Sequence, residues 1–349
     1  MSKMKNGNGN GNGKSAKTPK GLSPIAAPLD YDKLVLDAGD FEVVGTDIEK
    51  SMAMVRPSIS YWKDAWRRLK KNRVAIVCLA FIALMAIGSV VLPMVSPFSF
   101  REQHWDEVEV PAFTVCEQAD AAGVGHMHIF GTDKLGRDQW TRVWSGGQVS
   151  LFIGFMAAVT NFVIGLPYGS LSGFVGGRLD NVMMRAVEVI NGIPYLIVVT
   201  LLMVVLPGGI PTIILAMAIV GWTGLARLVR GQVVSIKEQE YVIAARTMGA
   251  SRSRLIFRHI MPNTLSVVIV STTMAIPGAI FTEAFLSFIG IGVPDPYASW
   301  GSLCQNAQSS IFINPALLLI PAAFISLTML SLNLFGDALR NVLDPRMRR

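Results

Sequence analysis

One carboxylate interrupts an otherwise uncharged apolar stretch: Glu283 lies within residues 264–289. A carboxylate near the middle of a bilayer costs about 2.5 to 3.5 kcal/mol on insertion scales, so something must offset it. Two readings are open. Either Glu283 lines a polar pathway, the default for an intramembrane carboxylate, or it is a packing residue, protonated or paired near the outer interface. His126 and His128 form an HxH pair, which binds metal when further ligands converge. No further ligand is evident in the sequence, so they read as a surface pair. Gly13-Lys14-Ser15 imitates the end of a phosphate-binding loop, but the Gly required five positions earlier is Asn8. Cys78, Cys116 and Cys304 share no CxxC spacing and have no assigned chemistry. Asp133, Arg137 and Asp138 are expected to pair among themselves, and His259 reads as structural. An intramembrane enzyme would need a nucleophile and a base within its apolar runs, and the 4 histidines all fall outside them. The chain is therefore expected to carry no catalytic residue, no metal and no cofactor of its own.

The elements that position these groups are membrane helices. The 349 residues are 51% hydrophobic and 16% charged, more apolar surface than one soluble core would need. The net charge of +7 is not gathered into a phosphate-binding face, and no nucleic-acid partner is expected. A helix needs about 20 apolar residues to cross the hydrocarbon layer. Residues 74–95 supply one span, 150–172 a second with several glycines for close helix contact, and 264–289 and 315–335 two more. The uncharged stretch 189–226 is too long for one crossing and is broken by Pro207-Gly208-Gly209-Ile210-Pro211, which makes two spans and a turn. Six crossings result. Asn161, Asn191 and Asn314 are expected to hydrogen-bond between helices, and Pro194, Pro277 and Pro321 to mark kinks.

Lysine and arginine beside the spans set the orientation. Arg56, Lys63, Arg67, Arg68, Lys70, Lys71 and Arg73 precede the first span, seven arginines and lysines lie in 227–263, and Arg340, Arg346, Arg348 and Arg349 follow the last. These flanks read as cytosolic, as do both termini. Residues 96–142 are rich in acids and 292–314 hold Asp295 without a base, so both face outward. The glycine- and asparagine-rich tail, 1–55, reads as flexible and cytosolic.

The long inner connection, 227–263, contrasts with the short one at 176–185. A helix from Ile236 or Lys237 to Met248 would place Tyr241, Ala244 or Ala245, and Met248 on one side; Gly249 stops it, Ser251 caps a second helix, and Pro262 ends that one. Two readings stand: a docking surface for another protein, or a basic loop resting on lipid headgroups.

The run Tyr241-Val-Ile-Ala-Ala-Arg-Thr-Met-Gly-Ala-Ser, followed by Phe257-Arg-His-Ile-Met-Pro-Asn, resembles the EAA loop of binding-protein-dependent ABC importer permeases. The likeness is closest to the C-type subunit of oligopeptide and dipeptide permeases. Ile243 replaces the usual acid and Met261 the usual leucine. Gly131-Thr-Asp-Lys-Leu-Gly-Arg-Asp, Gly176-Gly-Arg-Leu-Asp, Phe285-Leu-Ser-Phe-Ile-Gly, Ser299-Trp-Gly and Asn333-Leu-Phe-Gly-Asp resemble other elements of that family, in its order.

The resemblance implies an all-α, polytopic permease of the type I ABC importer fold, with six transmembrane helices, in a bacterial cell membrane. Hydropathy and charge divide the chain into the tail 1–55, a basic cytosolic segment 56–73, the first helix 74–95, an external segment 96–149, a permease core 150–337 and a cytosolic tail 338–349, and the resemblance covers all but the tail 1–55. It implies ATPase coupling through Glu240, Tyr241, Ala244, Ala245, Arg246, Gly249, Ala250, Arg258, His259 and Pro262. Of the two readings of Glu283 the translocation pathway is the expected one, on the default for an intramembrane carboxylate. The implied partners are a homologous permease subunit, two cytosolic ABC ATPase subunits that use ATP and Mg, an extracytoplasmic peptide-binding protein, and the lipid bilayer. The same machinery could move nickel, oligosaccharide or another small solute. A secondary transporter is the remote alternative, against which stands the lack of an internal repeat.

Overall fold

The structure, a computed structural model, describes residues 61–115 and 127–343. The expected tail 1–55, together with Cys116, His126 and residues 344–349, lies outside the described residues.

Helix α1 (Tyr61–Lys71) is amphipathic and carries the Asp64–Arg68 pair at 3.0 Å. Asn72 then caps α2 (Arg73–Val95), the first span, accepting from the Ala75 amide. A small element follows, with strands β1 (Thr114–Val115) and β2 (Met127–His128) paired antiparallel. Helix α3 (Gln139–Val175) is 37 residues long, roughly 55 Å at 1.5 Å per residue. It starts 11 residues before the expected start of the second span at 150 because Asp138 caps it, accepting from the Thr141 amide at 2.8 Å.

Helices α4 (Gly177–Gly192) and α5 (Tyr195–Val205) are bent by 76° at Ile193-Pro194, where Pro194 caps α5. The expected short inner connection 176–185 is thus mostly the first half of a helix, and α5 alone is too short to cross. Helices α6 (Ile210–Val220) and α7 (Trp222–Lys237) together make one 28-residue span. Beyond α8 (Glu240–Thr247) and α9 (Arg252–Arg254), a wide π turn at Leu255–Ile260 leads into α10 (Met261–Phe288). Helix α11 (Trp300–Ala307) lies between α10 and α12 (Ala316–Leu343). Among the described residues, 5 helices are long and apolar enough to cross a membrane, and the bent α4–α5 pair makes 6.

Side-chain contacts sort the loops by end, independently of charge counting. Arg137 reaches Asp295 at 3.0 Å, Ser310 meets Glu109, and Gln139 Nε2 donates to the Leu317 carbonyl at 3.3 Å, so both acidic connections meet at one end. At the other end Lys237 Nζ donates to the Gly173 carbonyl at 2.9 Å, and Leu69 and Ala75 pack with Ala338. That packing extends α12 through residues expected to belong to the tail.

The glycines expected in the second span hold α3 against α7. An added Cβ at Gly165, Gly169 or Gly173 would lie 3.0, 2.3 or 2.8 Å from backbone oxygens of Trp222, Ala226 or Arg230. Contact at this range lets two membrane helices gain dispersion energy that side chains would otherwise block. Pro277 and Pro321 sit inside continuous helices. Asn191 does link helices, accepting from Thr223 at 3.1 Å, whereas the Oδ1 of Asn161 and the Nδ2 of Asn314 are buried without protein partners.

Candidate functional site

The basic connection between α7 and α10 is a folded elbow. Val242 and Ala245, three residues apart on α8, point inward and pack in one cluster with Val233, Leu255 and Ile260. Ser251 caps α9, accepting from the Arg254 amide at 3.3 Å, and Gly249 has φ +85, the left-handed conformation expected of a glycine stop.

The outer face is apolar with a charged rim. Tyr241, Ile243, Met248 and Phe257 are exposed, Met248 by 81% and Phe257 by 70%, and around them lie exposed Glu240, Arg246, Arg252, Arg254 and Arg258. Ala244 belongs to this face, but Ala245 does not: it is a core residue of the elbow. Ala250 and His259 are half-buried. Pro262 does not end a helix as expected, because it sits in the first turn of α10, just after the wide turn, where the amide hydrogen it lacks is least missed. Met248 was placed on one side with Tyr241 from the sequence, whereas Ile243 and Phe257 were not singled out as contact residues. Four-residue helical spacing alone does not say which side of so short a helix faces its own support.

Glu283 is fully buried within this chain. Ser150 Oγ on α3 donates to one carboxyl oxygen at 2.9 Å, and Ser287 Oγ donates to the other at 2.7 Å. Behind them the Trp300 amide donates to Ser150, and the Val293 amide and Ser299 hydroxyl donate to Ser287. The expected pathway-facing position is therefore corrected. Glu283 ties the loop after α10 and α11 to α3, and these hydrogen bonds offset its burial. Helix α11 can approach because Gly301 leaves no Cβ, which would stand 2.5 Å from the Ala284 backbone. Cys304, for which the sequence assigned no chemistry, is a buried free thiol on this helix.

His128 is also buried, not a surface residue. Its Nδ1 meets Asp138 at 2.8 Å and its Nε2 meets Glu107 at 3.1 Å, while Phe98 stacks on the ring at 4.3 Å. Asp133 pairs with Arg137 at 2.7 Å as expected, but Asp138 serves His128 and the α3 cap instead. Burial alone would lower the His128 pKa; the hydrogen bonds and charges of Asp138 and Glu107 outweigh it and raise the value above the usual 6.5. The fold thus favours imidazolium. The resulting stability is complete below about pH 6.5 and is lost as pH rises through the higher folded value. Proteolysis of segment 96–138 is expected to speed up across that rise, and His128→Gln should flatten the profile. A profile unchanged by the substitution would show that His128 does not control it.

Among the described residues no group of 3 or more His, Cys, Asp or Glu is placed to hold a metal ion. Glu283 and His128 thus tie parts of this chain together, whereas the elbow presents exposed apolar and charged side chains.

The chain is similar to several known proteins. The model of the binding-protein-dependent transport system inner membrane component family matches residues 165–349, and that of the N-terminal TM domain of oligopeptide transport permease C matches 60–111. The dipeptide transport system permease protein DppC of Bacillus subtilis (strain 168) is 47% identical over 295 residues, 84% of this chain and 88% of that protein. The oligopeptide transport system permease protein OppC of the same organism is 43% identical over 319 residues, 91% of this chain and 97% of that protein. A solved structure of the MetNI methionine ABC transporter, with inward facing conformations, aligns with a TM-score of 0.48 at 18% identity, over 58% of this chain and 94% of that one.

Proposed function

The chain belongs to the family of binding-protein-dependent transport system inner membrane components, multi-pass proteins of the cell membrane, and from that premise we propose that it is one of two membrane-spanning subunits of an ATP-driven importer for short peptides. The elbow carries the proposal. Its two sides continue directly into the spans Ile210–Lys237 and Arg252–Phe288, and its outer face is a cluster of exposed apolar side chains rimmed by arginines. A loop that merely rests on headgroups need not be joined rigidly to two spans. A lever must be.

In this mechanism two cytosolic ATPase subunits, not this chain, bind ATP and Mg. When they close on ATP, the apolar knobs Tyr241, Ile243, Met248 and Phe257 move with the surface that holds them, while the inner core of Val242, Ala245, Leu255 and Ile260 keeps the elbow stiff. The motion passes to α7 and α10. Together with a homologous permease these helices switch the pathway from inward-facing to outward-facing, where an external binding protein delivers peptide. Peptide as the cargo rests on the names of the relatives at 43% and 47% identity.

The test is reconstitution of this chain with a homologous permease, ATPases and a peptide-binding protein from the same host. Di- and oligopeptide uptake is expected to require ATP and every component, and the chain purified alone should bind no nucleotide. Uptake of nickel or sugar but not peptide would overturn the cargo assignment; failure to co-purify any ATPase would overturn the importer mechanism itself.

A further inference from the structure

A cavity of about 600 Å³ opens between α4 and α7, lined by Asn181, Met184, Arg185, Glu188, Arg227 and Arg230. It lies toward the basic end of the spans, the end at which α7 enters the elbow. Its charges are unequal in availability. Arg230 is held by Asp180 through two bonds of 2.6 Å, and Asp180 also accepts from Ser172, so that cation is neutralised in place. Arg185 is paired with Glu188 at 2.9 Å. Arg227, by contrast, is exposed and has no hydrogen-bond or ion-pair partner among the described residues.

An unpaired arginine on a membrane-crossing helix is unfavourable against hydrocarbon and belongs on a watery or ligand-lined face. Its surroundings on α7 fit the second case. Gly224 and Gly231 flank it on the same exposed stripe, and an added Cβ at either would meet nothing within 4 Å, so the guanidinium stands clear. One spare positive charge on a wall of this size matches a monoanion of small-molecule dimensions. Arginine is also the side chain whose paired N–H groups match a carboxylate. Glu188 is bound only by an exposed pair of the kind worth little, so it can exchange partners with a cationic group.

Building on the peptide-importer reading, we propose that this cavity is a transit site on the inner half of the pathway, where Arg227 receives the C-terminal carboxylate of the passing peptide. The site favours peptides with a free carboxylate over those that lack one, a selection made after the binding protein has released its cargo.

The probes are tri-alanine and its C-terminal amide, supplied with saturating binding protein to vesicles holding the complete importer. Rates are taken per assembled complex, which corrects for any variant that assembles poorly. The wild type is expected to prefer the free acid. Arg227→Gln should lower free-acid uptake roughly tenfold, the loss of one charge-assisted hydrogen bond, and bring the acid-to-amide ratio close to one; Arg227→Lys should retain most of the preference. An unchanged ratio, or an equal fall for both probes, would overturn the inference while leaving the importer reading intact. So would a loss seen only in vesicles containing anionic phospholipid, since the wall would then hold a headgroup phosphate. If the wild type takes up neither probe, the peptide reading itself fails and this site fails with it.

Discussion

Met248→Asp combined with Phe257→Asp is expected to stop uptake while leaving the chain inserted and its elbow folded. Both side chains are among the most exposed apolar groups of the connection, and neither belongs to its inner core. Solvent keeps a carboxylate at either place hydrated in the free chain, so folding loses little. Docked against a partner, each would be stripped of water without a counter-charge. That penalty amounts to several kcal/mol per ion, and even about 3 kcal/mol weakens an association roughly a hundredfold. The measurement is co-purification of the ATPase subunits and ATP-driven uptake. Ala245→Glu should produce the same loss of uptake by another route, because Ala245 is packed beside Val242, Leu255 and Ile260 and a charge there melts the elbow from within. Protease sensitivity of residues 238–260 separates the two, high for Ala245→Glu and unchanged for the double variant. Gly249→Asp should be the mildest of the set. Its φ of +85 costs an L residue about 1 to 2 kcal/mol, but an added Cβ there has nothing within 4 Å. If the double variant transports normally, the elbow is a lipid-resting surface and the coupling mechanism is wrong.

Elements set by runs of one residue class were the ones legible in the sequence. Apolar stretches near 20 residues located α2, α3, α10 and α12, since hydrocarbon admits little else, and lysine and arginine placed their ends. Gly249 announced its left-handed turn. Legibility failed where the deciding neighbour is distant along the chain. Glu283 looked like a pathway residue because no sequence pattern shows that Ser150, 133 positions earlier, meets it on another helix. His128 looked like half of a surface HxH because its true partners, Glu107 and Asp138, lie 21 and 10 positions away on opposite sides. Ala245 was assigned to the docking face because an eight-residue helix has too few turns for periodicity to separate its outer from its inner side. The span boundaries erred for a related reason. Hydropathy reports where hydrocarbon must be, whereas α3 runs outward to the cap at Asp138 and α12 runs inward to pack on α1.

Gly169→Leu is expected to abolish assembly of the importer, although it makes the second span more apolar and should not impede insertion. Two stages of membrane folding are separated by this change: entry into the bilayer, which hydropathy governs, and packing of the inserted helices, which shape governs. At Gly169 a Cβ would stand 2.3 Å from the Ala226 carbonyl oxygen and 2.8 Å from the Val229 side chain. The first of these atoms is backbone, so no rotamer change relieves the clash, and α3 and α7 must part along the whole Gly165–Gly169–Gly173 stripe. Parting them also pulls the Gly173 carbonyl away from Lys237, and Asp180, which bonds both Ser172 on α3 and Arg230 on α7, must give up one of the two. Overpacking of a well-filled interior typically costs 1 to 3 kcal/mol for added methylenes alone, and these lost bonds add to it. Membrane-inserted protein should be present at first, with no partner subunits recovered and rapid degradation. Gly278→Ala supplies the control, since an added Cβ there meets nothing within 4 Å and alanine favours the helix by up to about 1 kcal/mol over glycine. Recovery of the intact complex from Gly169→Leu at wild-type yield would mean that α3 and α7 are not held by the close contact that their glycines permit.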